Sequence, residues 1–381
     1  MMKQPIYLDN QATTQIDPRV LEVMRPLLEE EFGNPGSVHH SYGWNAEKAV
    51  IEARTKIADV ISASPNEIIF TSGATESNNL ALKGLASSPA GKKRNHIIVS
   101  KIEHKCVLGA AHHLEKQGFD ITYLDVDSEG LISPEKLKQA IRPDTLLVSI
   151  IFANNEIGVI QNIYALAGIC RENKVFFHTD AAQAFGKIDV NVDELGIDLM
   201  SISGHKVYGP KGIGALYVRQ QPHVPLQPQI HGGGQEFGLR SGTLPTHLIA
   251  GLGEAACIAK SEIEAESIRQ TALRDILIQK VFQDQPGAIL NGSIQNRLSG
   301  NVNFSFVNAD PDLLFMELQK NVAASNGSAC SGVAIEPSHV LRALGRTPDE
   351  ARSSVRIGIG RFTTEQEISL AASHLCQSVK S

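Results

Sequence analysis

The sequence lacks an excess of positive charge: 35 Lys and Arg stand against 41 Asp and Glu, for a formal net charge of −6. A surface that binds a polyanion needs clustered cations. The one short basic run, Lys92-Lys93-Arg94, reads as a solvated turn. Direct nucleic-acid binding is therefore not expected. No stretch approaches the ~18 consecutive apolar residues of a membrane span. The opening residues, MMKQPIYLDN, carry no apolar signal-peptide core. Cysteine is scarce: Cys106, Cys170, Cys257, Cys330 and Cys376 are few, odd in number and widely spread. That argues against a disulfide framework and for a reducing cytoplasm. Metal-ligand spacings are missing too, with no C-x-x-C and no H-E-x-x-H. The pairs His39-His40 and His112-His113 are adjacent residues that point in different directions. No metal is expected.

What is present is the composition of an ordinary globular chain. Of 381 residues, 42% are hydrophobic and 20% charged, with 32 Gly and 17 Pro. The length allows two or three domains at ~150 residues each and a sizeable core. Short apolar runs alternate with helical patterns, which indicates an α/β protein with a mostly parallel sheet. The candidate strands are 68–70, 97–99, 146–152, 175–177, 199–202 and 215–218. A first helix starts with Asp17 as N-cap and Pro18 at the first helical position, followed by Leu21, Met24 and Leu28 at helical spacing. Near residue 260 the character changes. Residues 261–282 read as one long amphipathic helix, with Ile268, Ala272, Ile276 and Leu277 on a common side. A strand at 302–307, a Gly/Ser-rich loop at 326–332 and a strand at 354–359 follow. The expectation is a large α/β domain and a smaller α+β domain.

In open α/β sheets the ligand crevice lies beyond the carboxyl ends of the strands, so the polar residues there come first. After 68–70 comes Thr71-Ser72-Gly73-Ala74-Thr75-Glu76, leading into a helix. Small residues let backbone N–H groups approach a phosphate, and the helix end adds positive potential. Such a loop is also a plain tight turn, and it matches neither Walker A nor G-x-G-x-x-G. After 175–177 comes His178-Thr179-Asp180-Ala181-Ala182-Gln183. Asp180 reads either as a helix N-cap or as a buried acid that must face a cation or donor. After 199–202 comes Ser203-Gly204-His205-Lys206, where Lys206 is an exposed lysine or a reactive amine whose pKa burial lowers. Together the three segments meet one need: pyridoxal phosphate requires an amine, a phosphate cradle and a carboxylate for its ring nitrogen. Two further strand ends add Glu103-His104-Lys105 and Asn154-Asn155-Glu156.

The segments YLDNQATT, FGNPGSVH, FTSGATESNN, EHK, NNEIG, HTDAAQ, SGHKVYGPKGIGALYVR, HGGGQE, RSGT and NGSAC, with EPSHVLRALG and RIGIGRFT, occur in this order along essentially the whole chain. In them the chain closely resembles the cysteine desulfurases, pyridoxal-phosphate enzymes of the class V aminotransferase family. The resemblance implies a fold-type-I homodimer with a large cofactor domain over 16–260. A small domain, from 1–15 and 261–381, would carry the cysteine loop. It implies that Lys206 is the Schiff-base lysine, that Asp180 pairs with the pyridine nitrogen and Gln183 with the ring hydroxyl, and that His104 stacks on the ring. Ala74, Thr75, Ser203 and His205 match phosphate-contacting positions. Thr243 matches one that reaches the phosphate of the partner subunit's cofactor. Asn155 and Arg356 match the substrate-carboxylate positions, and Cys330 matches the cysteine that accepts sulfur from L-cysteine. Its neighbours Ser325, Asn326, Gly327, Ser328, Ser331 and Gly332 have the composition of a mobile loop. The other four cysteines read as small buried hydrophobes.

Other chemistry on the same fold, such as selenocysteine lysis, transamination or kynureninase-type cleavage, would keep Lys206 and Asp180 but need no Cys330. A hydrolase suggested by His231-Gly232-Gly233-Gly234 lacks the G-x-S-x-G nucleophile. Gln11, Gln15 and Asn326 depart from the family's usual residues. The chain ends at Ser381, soon after Arg361, whereas housekeeping relatives that feed iron–sulfur scaffolds carry a longer docking tail. The spacing from Cys330 to Glu336-Pro337-Ser338 matches the family's long-loop group. The resemblance leaves three acceptor classes open: an iron–sulfur scaffold, a thiolation enzyme or a DNA sulfur-modification system.

Overall fold

A computed structural model describes residues 4–307, 309–326 and 337–380. A short strand β1 (Ile6–Tyr7) precedes helices α1 (Pro18–Glu29) and α2 (Ser41–Val60). Helix α1 starts as its sequence requires: the Asp17 carboxylate accepts from the Arg19 N–H, and Pro18 occupies the first turn. Strands and helices then alternate: β2 (Ile68–Thr71), α3 (Ala74–Ala86), β3 (His96–Ser100), α4 (Lys105–Lys116), β4 (Asp120–Leu124), α5 (Pro134–Ala140), β5 (Thr145–Ser149), α6 (Ile163–Glu172), β6 (Phe176–Asp180), α7 (Val192–Leu195), β7 (Leu199–Ser203) and β8 (Gly214–Val218).

Among the described residues, these strands form one seven-stranded sheet in the order β2-β8-β7-β6-β5-β3-β4. Its pairs are parallel except the two made by β8. Alternate residues serve opposite faces, as the pleat dictates: Ile68, Phe70 and Ile98 join one apolar cluster, and Ile69, Ile97 and Val99 another. Because β3, β5, β6 and β7 run the same way, their carboxyl ends open on one rim.

The rest of the chain adds α8 (Thr246–Asp284), β9 (Ala288–Leu290), β10 (Asn301–Phe306), α9 (Pro311–Leu318), β11 (Val322–Ala323), α10 (His339–Ala343), α11 (Pro348–Arg352), β12 (Ser354–Gly358) and α12 (Glu365–Val379). Strands β12, β10 and β9 form an antiparallel sheet with its own core, which includes Phe304, Val355, Ile357 and Leu375.

Three expectations need correction. The strand at 175–177 continues to Asp180, because its polar residues are paired inside the core: His178 bonds Ser149 at 2.7 Å and Ser201 at 3.0 Å. Strand β4 was not foreseen. It is a half-exposed edge strand without a continuous apolar run. The long helix begins at Thr246 rather than 261, and its buried stripe is Leu273, Leu277 and Val281. Ile268 is 67% exposed, because no residue from 260 to 272 is buried. The first half of α8 packs on the large sheet's core and the second half on the three-stranded sheet's core. Ile268 lies in the bridging stretch.

Candidate active site

The carboxyl ends of β2, β3, β5, β6 and β7 surround a cavity of about 520 Å³, within the range of small-molecule sites. Lys206 enters it from the single turn Gly204–Lys206 that follows β7. Its Nζ donates to the main-chain carbonyls of Gln11 and, at 2.8 Å, of Ala12. Burial pushes its pKa down to about 8, with the Arg356 cation adding to the effect and Asp180 and Asp9 opposing it. A lysine so placed supplies a neutral amine near physiological pH.

Asp180, the last residue of β6, is 3% exposed. It caps no helix. One carboxylate oxygen accepts from the Asn78 amide at 2.7 Å, the other from the Ala182 N–H at 2.9 Å. Helix α3 has Gly73 as its N-cap residue, with φ of +145° and no side-chain cap. A Cβ at Gly73 would meet nothing within 4 Å. The first N–H groups of α3 therefore face open space, the arrangement that takes an anion. Ser203 and His205 line the same cavity. The His205 Nδ1 lies 3.1 Å from the Thr13 hydroxyl, and burial pushes its pKa down to about 4 with help from three lysines, Lys206 foremost.

His104 caps α4, its Nδ1 accepting from the Cys106 N–H at 3.2 Å. An accepting Nδ1 leaves the ring proton on Nε2. Burial, more than any neighbouring cation, holds this imidazole below the usual histidine range. The Cys106 thiol, 2.9 Å from the same nitrogen, is itself pushed up to about 12, mainly by burial and then by Asp180.

Ala74, Thr75, His104, Asn155, Asp180, Gln183, Ser203, His205 and Lys206 all line this one cavity. Arg356 does not line it, but its Nη1 donates to the Asn155 carbonyl at 3.1 Å. Thr243 is exposed and lies off the cavity wall. Cys330 lies outside the described residues. Sequence reading missed Asn78, which orients Asp180, and the carbonyls of Gln11 and Ala12, which receive Lys206. It also missed Lys187, whose ammonium donates to Gln183 Oε1 at 2.8 Å while Gln183 Nε2 donates to the Gln11 carbonyl. The motifs FTSGATESNN and YLDNQATT held two of these signals, but main-chain carbonyls carry no residue-type signature. Two cysteines expected as buried hydrophobes are not: Cys106 lines the cavity and Cys257 is exposed.

The fold and the donor set define an α/β enzyme with an amine, a buried acid and an anion-binding helix end around one crevice. A family model described as aminotransferase class-V matches residues 6–370. A cysteine desulfurase IscS from Dechloromonas aromatica is 54% identical over 378 residues, covering 99% of this chain and 93% of the relative. A solved NifS-like protein superposes with a TM-score of 0.92 at 37% identity, covering 99% of this chain and 100% of that one. A structure of SspA in complex with cysteine gives a TM-score of 0.82 at 44% identity, over 94% of this chain and 100% of its own. The chain belongs to the class-V aminotransferase family, among its cysteine desulfurases. Its α/β architecture is the family's fold type I. No helix among the described residues is long and apolar enough to cross a membrane.

Proposed function

We propose that this enzyme takes L-cysteine, returns L-alanine and retains the sulfur as a persulfide on Cys330, using pyridoxal phosphate. One observation carries the proposal: Lys206, Asp180 and the uncapped start of α3 meet in a single cavity, and these are the donors the cofactor requires. Bound there, the cofactor supplies an electron sink for the carbanion formed at the substrate Cα. The protein does the rest.

The N–H groups of Ala74 and Thr75, with Ser203 and His205, would hold the phosphate, and Thr243 would serve the partner's cofactor in a homodimer. Asp180 would keep the ring nitrogen protonated, Gln183 would donate to the ring oxygen, and His104 would stack on the ring. Arg356 and Asn155 hold the substrate carboxylate, the former with a guanidinium able to bind bidentately. Lys206 would remove the proton from the substrate Cα. The Cys330 thiolate attacks the substrate sulfur, forming the S–S bond as the C–S bond breaks. The released electron pair takes up a proton on the way to alanine. An ordinary thiol of pKa ~8.5 is only about 3% ionised at pH 7, so the site either lowers the Cys330 pKa or takes its proton on a nearby base, for which His104 and the bound substrate are the candidates.

The large cofactor domain is taken as 16–260 and the small domain as 1–15 with 261–381. The enzyme is assigned to the cytoplasm, and its persulfide goes to an acceptor protein. The acceptor is an iron–sulfur scaffold, a thiolation enzyme or a DNA sulfur-modification system, and labelled sulfur followed from Cys330 in a lysate identifies the recipient. Two variants test the chemistry separately. Lys206→Ala is expected to lose the visible-edge absorbance of lysine-bound cofactor. Cys330→Ala is expected to keep that absorbance yet release no sulfide from cysteine with a thiol reductant, and normal turnover by it refutes the persulfide step.

A further inference from the structure

Arg356 is 5% exposed, and its guanidinium is only partly satisfied. Its Nη1 donates to the Asn155 carbonyl at 3.1 Å and its Nη2 to Asp9 Oδ1 at 2.7 Å, while Nε is buried without a partner. The Asp9 contact spans almost the whole sequence and is built into the backbone. Leu8 to Asn10 lie along β12: the Gly358 N–H donates to the Leu8 carbonyl at 2.7 Å, and the Asn10 amide donates to the Gly358 carbonyl at 2.7 Å. A Cβ at Gly358 would fall 2.7 Å from the Asn10 main-chain nitrogen, so this approach needs glycine. Asp9 pairs with Gly358, and Arg356 is two residues back on the same strand, hence on the same face. The register therefore delivers the Asp9 carboxylate to the guanidinium.

We infer that Asp9 is a positioning residue for substrate binding, holding Arg356 by Nη2 so that the unpartnered Nε edge is presented to the substrate carboxylate. This rests on the assignment of Arg356 as the carboxylate clamp. A buried charged donor without an acceptor is costly, so Nε needs a partner in the working state, and a carboxylate is the ligand that suits a guanidinium edge. Asp9 occupies Nη2 and leaves the Nε–H without a partner. It acts as an anchor, not as a competitor for the site.

Asp9→Asn keeps an acceptor of the same shape but loses the charge, and Asp9→Glu keeps the charge on a longer arm. Binding of L-alanine and of L-alaninamide, which lacks the carboxylate, is read from the absorbance of the holoenzyme. Asp9→Asn is expected to weaken L-alanine about tenfold, the difference between a charged and a neutral hydrogen bond, and to leave L-alaninamide unchanged. With L-cysteine the KM rises by a similar factor, because the carboxylate is held equally in ground and transition states. Asp9→Glu recovers most of the affinity. Unchanged or tighter L-alanine binding overturns the inference, as does equal weakening of both ligands. If the wild type makes no alanine from cysteine, the proposed reaction fails, while the two titrations still judge Asp9.

Discussion

Replacing Asp180 by Asn tests the acid at the floor of the cavity. Both carboxylate oxygens are committed to donors, the Asn78 amide at 2.7 Å and the Ala182 N–H at 2.9 Å. An amide in the same place turns its NH₂ toward Asn78, whose own amide must turn over to offer its unpartnered Oδ1. Without that turn the buried donor pair costs about 1–3 kcal/mol of stability. The functional loss is separate. A hydrogen bond with an ionised partner contributes about 1.5–3 kcal/mol, so a ring nitrogen no longer held protonated should slow alanine formation by about 10–150-fold or more. The assay is alanine released from L-cysteine at saturating pyridoxal phosphate, with bound cofactor counted by absorbance. A variant that binds cofactor fully and turns over within about twofold of wild type refutes the assigned role of Asp180.

Three further outcomes are expected. With Lys206 depressed to about 8, recombination of pyridoxal phosphate with the cofactor-free chain should speed up with pH and be half-maximal near 8; a midpoint near the ordinary lysine value of about 10.4 contradicts this. Burial raises Glu103 to about 8, so the folded chain retains a proton that the unfolded chain has released above about 4.3. The wild type should therefore lose stability relative to Glu103→Gln as pH rises from about 5 to 8, and parallel urea-unfolding curves across that range would count against it. Arg54 and Glu236 form a buried bidentate pair at 2.9 and 2.6 Å, and Glu236→Ala strands the guanidinium. Chemical denaturation should show a loss of about 3–5 kcal/mol, and a loss below about 1 kcal/mol would show that the pair behaves like a surface salt bridge.

Where one residue type has one use at one place, the sequence was readable. Asp17 and Pro18 announced α1, the buried apolar runs announced most of the central strands, and nine of the expected site residues line one cavity. What stayed hidden depended on tertiary pairing. His178 and Thr179 look like loop residues until Ser149, Ser201 and the Ile150 carbonyl satisfy them inside the sheet. The face of α8 could not be assigned from periodicity, because the helix serves two cores with an exposed stretch between them. Cys106 gave no sign of facing the crevice, since the helix cap made by His104 sets its direction. Asp9 stood in a motif, but its partner Arg356 lies near the other end of the chain.

The central claim is that sulfur passes from L-cysteine to Cys330 at the Lys206 site. Holoenzyme mixed with L-cysteine in the absence of reductant, digested and analysed by mass spectrometry, tests it directly. The Cys330 peptide should gain the mass of one sulfur atom in step with the alanine formed, and Lys206→Ala should give neither. Alanine without added sulfur on that peptide, or sulfur on Cys106 or Cys257 in its place, contradicts the account.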